Sequence, residues 1–125
     1  MLLETAISDF AKRIGMPSLS LDEKGVAAMD IADTGRLSLE STDARGYREL
    51  LLYVSRPIPP HAPDMERKAL DYSHYRHAHP FPIQAGVHKD MLLVSTRIAE
   101  DQATGQILEN ASIFLMRSCE KILSN

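Results

Sequence analysis

Apolar residues recur with a helical period at both ends of this 125-residue chain and with a period near two across much of its middle, so no single element type fits throughout. Leu3, Ile7, Phe10, Ala11 and Ile14 fall on one helical face, with Glu4, Ser8, Asp9, Lys12 and Arg13 opposite, which predicts an amphipathic N-terminal helix. Gly15 can take the left-handed conformation that closes a helix and Pro17 cannot continue the ladder, so the helix should stop near Ile14. Beyond it, Ala27, Met29 and Ile31 alternate against Ala28 and Asp30, and Leu37 and Leu39 against Ser38 and Glu40. Turn residues at 33–35 and 43–46 separate these runs, so three consecutive antiparallel strands are the economical reading. The third, over 49–55, is apolar on both faces through Leu50, Leu51, Leu52, Tyr53 and Val54, as a central or interface strand would be.

Pro57, Pro59, Pro60 and Pro63 then hold the chain extended and deny it ladder donors. Asp64 sits where an N-cap belongs, and Met65, Ala69, Leu70, Tyr72 and Ser73 describe a short, weakly amphipathic helix that ends before 77–82. Ile83, Ala85 and Val87 alternate, Lys89 and Asp90 make a polar break, and 91–98 is rich in β-branched and large apolar residues, so a second hairpin is expected. From Gln102 the helical period returns, with Ile107, Ala111, Phe114 or Leu115, Ser118 and Ile122 along one side of a helix of about five turns. The order α-β-β-β-α-β-β-α predicts a single α+β domain over 1–125, three helices packed on a twisted antiparallel sheet of about five strands.

The composition, 44% hydrophobic and 25% charged with a net charge of -3, is that of an ordinary soluble globular chain. The 14 Lys and Arg form no long run, so neither nucleic acid nor an anionic membrane surface is an expected partner. The apolar stretches 50–54 and 91–94 are far short of a membrane span, and Glu4 and Asp9 spoil a signal-peptide reading, so a cytoplasmic protein is expected. One cysteine, Cys119, excludes an intrachain disulfide and fits a reducing compartment.

Little in the chain points to bond-making chemistry. His74, His77 and His79 lie within six residues, with His61 and His88 nearby in sequence, and a small metal-dependent enzyme could use the first three. Neither an HExxH pattern nor a carboxylate at ligand spacing accompanies them, which favours exposed loop and helix-end residues. Cys119 lies late in the last helix, far from an N-terminus that would acidify it, and suits a helix interface. No GxSxG elbow, GxGxxG loop or GxxxxGK[ST] loop is present. Apolar surface remains. The two-sided strand 50–54 and the strands bearing Met29 and Met91 offer large aliphatic faces that are either core or a place where an extended peptide adds a strand and fills pockets.

The succession Ile14-Gly15-Met16-Pro17, Leu19-x-Leu21-Asp22-x-x-Gly25, the strand 27–31, Leu37-x-Leu39 and the apolar strand 50–54 resembles the class I, or Tir-chaperone, family of type III secretion chaperones. Gln84-Ala85-Gly86-Val87 followed by Met91-Leu92-Leu93-Val94-Ser95, and then a long last helix, extend the resemblance over nearly the whole chain. It implies a cytoplasmic homodimer, or in some members a heterodimer with a related chaperone, with no enzymatic activity and no cofactor. It also implies binding of the N-terminal region of a secreted effector or regulator in extended form, which keeps that client soluble and export-competent. On this reading Met29, Leu37 and Leu39 in the first sheet segment and Met91 and Leu93 in the second are client-groove residues, while Phe10 and Ile7 serve groove or core. Leu50, Leu52, Met65, Leu70 and Tyr72 form the dimer interface. The helix near 64–75 departs from the family pattern: it is short and carries Arg67, Lys68 and Tyr72 where an apolar dimer-forming helix is common. A third possibility is a subunit of a larger assembly that shares the α+β layout.

Overall fold

The helical and alternating stretches become, in chain order, α1 (Leu2–Arg13), β1 (Val26–Ile31), β2 (Gly35–Ala44), β3 (Tyr47–Pro57), α2 (Met65–Tyr72), β4 (Gln84–His88), β5 (Met91–Ala99), a 3-10 turn (Glu100–Gln102) and α3 (Gly105–Leu123). This is a computed structural model, and it describes residues 2–16, 19–31, 35–44, 46–74 and 78–124. The predicted element order is the observed one, an α+β fold with one five-stranded sheet.

Local chemistry sets the element ends. Gly15, at φ +78°, lets the Met16 N–H reach back to the Ala11 carbonyl at 2.7 Å and close α1; Pro17 lies outside the described residues. Asp22 opens β1, its Oδ1 accepting the N–H groups of Lys24 at 2.8 Å and Val26 at 3.0 Å. The Gly25 carbonyl then accepts the Ser41 N–H at 2.8 Å, so the 21–25 motif is the clasp between the incoming chain and β2. At α3 the cap is Thr104, whose hydroxyl accepts the Ile107 N–H at 3.1 Å, and residues from Gln102 to that point are not α-helical.

Asp64 does not cap α2 as expected. Its backbone is left-handed (φ 58°), which turns the carboxylate away from the first-turn N–H groups and toward Arg67 at 3.2 Å.

The sheet order is β1-β2-β3-β5-β4, every neighbouring pair antiparallel, so β3 is central between β2 and β5. Leu50, Leu52 and Val54 of β3 share a face with Leu37 and Leu39 of β2 and with Leu92, Val94, Thr96 and Ile98 of β5. That face is sealed by Leu3, Ile7 and Phe10 of α1 and by Leu108, Ala111, Leu115, Cys119 and Ile122 of α3. On α3, Ala111, Leu115, Ser118 and Ile122 are buried as expected, with Leu115 and not Phe114 inside; the buried side also takes in Leu108 and Cys119, while Ile107 and Phe114 are only half-buried. Helices α1 and α3 pack closely because residue 105 is glycine; a Cβ there would collide with the Asp9 carboxylate. Arg13, braced by Asp9 within α1 at 2.9 Å, fastens the same contact by reaching Gln106 of α3 at 2.9 Å.

The Thr96 hydroxyl is buried in this core with no hydrogen-bond partner among the described residues. Thr96→Val, of similar shape but without the orphan hydroxyl, is expected to raise the unfolding free energy by about 1 kcal/mol, read from the urea midpoint at unchanged m-value.

Candidate functional site

Strand alternation sends the other half of each strand to the opposite face of the sheet. Leu51 and Tyr53 of β3 point there, with Val26 and Ala28 of β1, Ser38 and Glu40 of β2, and Leu93 and Met91 of β5. Val26, Leu51, Tyr53, Leu93 and Met91 are half-buried and stand apart from the residues that pack with the helices. Among the described residues this face carries no helical layer. The cross-strand register puts Tyr53 between Ser38 and Ser95, and Leu93 between Ser55 and Gly86, so small neighbours leave the large side chains standing proud. From β1 to β5 the band crosses three strand spacings, about 14 Å. Arg97 and Glu49, 3.7 Å apart, mark one border with charge.

This arrangement divides the residues expected to line a groove. Met91 and Leu93 lie on the open face. Met29 is half-buried on the helix side at the edge strand β1. Leu37 and Leu39 are corrected to core, at 3% and 0% exposure, because their parity places them opposite Val54 and Leu52 beneath the helices. Ile7 and Phe10 are likewise core. Leu51 and Tyr53 take the vacant places on the surface; the two-sided apolar run of β3 was their signal.

The expected dimer residues divide too. Leu50 and Leu52 are corrected to core at 0% exposure, since a central strand needs apolar residues on its helix side before it meets any partner. Met65 faces inward from α2, and Tyr72 is tied to α3 through its hydroxyl, 3.0 Å from Ser118 Oγ. Leu70, 65% exposed, projects from α2 into solvent. Among the described residues, the outer edges of β1 and β4 have no strand neighbour in the sheet.

The residues weighed for bond-making chemistry lie apart from one another among the described residues. No group of three His, Cys, Asp or Glu among the described residues converges on a metal position. His79 turns its Nε2 to the Tyr72 carbonyl at 2.9 Å, His61, His74 and His88 are exposed, and His77 lies outside the described residues. Burial pushes the Cys119 thiol up to about 11, against a smaller opposing pull from the Arg56 charge. At pH 7 only about one molecule in ten thousand would carry the thiolate. No helix among the described residues is long and apolar enough to cross a membrane.

The family model described as Type III secretory system chaperone SycN matches residues 2–123. The chain belongs to that family. It is therefore a type III secretion chaperone, of a family of secretion chaperones and not of enzymes. Solved structures share the chaperone's fold. A chain of the ExsC–ExsE complex is 25% identical with a TM-score of 0.74, the match covering 94% of this chain and 88% of that one. A chain from the complex of the Yersinia pestis type III secretion chaperone SycH with a fragment of YscM2 is 19% identical, with a TM-score of 0.67 over 97% of this chain and 98% of that one. A chain of the HopA1–SchA chaperone–effector complex is 18% identical, with a TM-score of 0.70 over 96% and 91%. A comparison with curated proteins gives no match.

Proposed function

We propose that this SycN-family chaperone works in the bacterial cytoplasm as a homodimer that binds the N-terminal region of a secreted effector or secretion regulator in extended form. It keeps that client soluble and export-competent, and it catalyses no reaction. The observation that carries this reading is the helix-free sheet face with Leu51, Tyr53, Leu93 and Met91 half-exposed in one band. An extended client lays alternate apolar side chains on that band. At the β1 edge, beside Met29, it can add its backbone as a strand. Relatives of the same fold come from complexes named as chaperone with effector, and the chain of the SycH complex is accompanied by a YscM2 fragment. Affinity then comes from wrapped area, offset in part by ordering of the client.

The second copy docks on α2 through Leu70, with Met65 and Tyr72 holding that helix in place. Light scattering should give about 28 kDa, twice 13.9 kDa, and Leu70→Glu should return it to the single-chain mass. A wild-type monomer at micromolar concentration would remove the homodimer from this reading. For the client, the chaperone is co-expressed with secreted proteins encoded beside it and the complex is treated with protease. An extended client is cut everywhere except along the bound stretch; a client protected throughout as a folded domain contradicts the proposal.

A further inference from the structure

On the helical side, remote from the sheet face, a cavity of about 860 Å³ opens between α2, the 78–81 segment and α3. Its floor is aromatic and preformed. The rings of Phe81 and Phe114 lie 5.8 Å apart, His79 sits 5.6 Å from Phe114, and His79 is itself stacked on Tyr72 at 4.7 Å. Ile113, 38% exposed, extends this floor along α3. Tyr72, Phe81 and Phe114 pack against the core on one side and are only half-buried, so part of each ring is left open to the cavity.

The rim is cationic. Arg117 and Lys121, four residues apart and therefore on the same side of α3, are both exposed and pair with no carboxylate among the described residues. No Asp or Glu is among the described residues that line the cavity, in a chain whose net charge is -3. Among the described residues, two cations beside a half-open apolar floor lack the extended array that a phosphate backbone or an anionic bilayer requires. They match a short peptide in which one large apolar side chain is flanked by carboxylates.

We propose that this cavity is a second docking site, for an acidic segment of a protein partner that seats a Phe or Leu side chain on Phe81 and Phe114 and pairs its neighbouring carboxylates with Arg117 and Lys121. Neither Leu70 nor the sheet-face residues line this cavity, although Tyr72 of α2 does, so the proposal does not require that the sheet face take the client.

The test is a titration of the isotope-labelled full-length chaperone with the synthetic peptide acetyl-Asp-Asp-Leu-Phe-Glu-Asp-amide, followed by amide chemical shifts. A control peptide carries Lys at every acidic position. The acidic peptide should shift amides of α3 around 110–121, and Arg117→Glu with Lys121→Glu should weaken it about tenfold, as should raised salt. Both substituted residues are exposed, so an unchanged thermal midpoint is expected; Arg117→Lys with Lys121→Arg should retain binding. Leu93→Glu should leave this titration unaltered, which separates its outcome from that of the sheet-face reading. The proposal is overturned if the acidic peptide leaves α3 unshifted, if the lysine peptide binds equally well, or if the shifts map to Leu51, Tyr53 and Leu93 instead.

Discussion

Leu93→Glu should weaken capture of an extended client about 100-fold while the protomer stays folded. The residue stands half-exposed on the helix-free face, so in the free protein a carboxylate there remains hydrated. In the complex it would be desolvated against client side chains, at a cost of about 2.7 kcal/mol, the scale of a central contact residue. Calorimetry with the N-terminal segment of the cognate secreted protein reads the affinity, and the thermal midpoint should move by no more than about 3 °C. The same change at Leu52, its neighbour strand's core residue at 0% exposure, should abolish folding. Wild-type affinity in Leu93→Glu would show that clients do not use this face.

Phe10→Ala should cost about 3–5 kcal/mol of stability, a large part of the roughly 5–15 kcal/mol that holds a domain together. The ring is 0% exposed and lies in the core cluster with α3 and the sheet, so its removal leaves a cavity that the α1–α3 contact, pinned by Arg13, Asp9 and Gln106, cannot close by sliding. Urea unfolding measures the loss. A change below about 1 kcal/mol would mean that α1 contributes a lid and not a wall of the core.

Periodicity made the element order legible because the signals were local: a helical period at each terminus, one glycine stop after α1, and turn residues between alternating runs. Facing was harder to read. In β3 the run Leu50, Leu51, Leu52, Tyr53, Val54 has no polar member to say which parity is inside, and the register settles it by placing Leu37 opposite Val54 and Leu39 opposite Leu52. Leu37 and Leu39 therefore moved from surface to core, and Leu51 and Tyr53 took their place outside. A comparable ambiguity affected α3, where Ile107, Leu108, Phe114 and Leu115 offer two adjacent stripes and packing against α1, β3 and β5 selects one. Asp64 failed as a cap for a different reason: composition names a residue suited to the position, while capping also needs extended backbone, which that residue lacks.

The placement of β5 beside β3 has a consequence for synthesis on the ribosome. The β1–β2–β3 meander can pair as it emerges, but the far side of β3 has no partner until Met91 arrives, 34 residues after Pro57. At about 5–20 residues per second that interval is roughly 2–7 s. For its duration a hydrophobic strand margin stands open on the nascent chain, a template for wrong pairing with whatever extended polypeptide is near. Prompt translation would shorten that exposure, and pausing of the ribosome between codons 57 and 91 would prolong it.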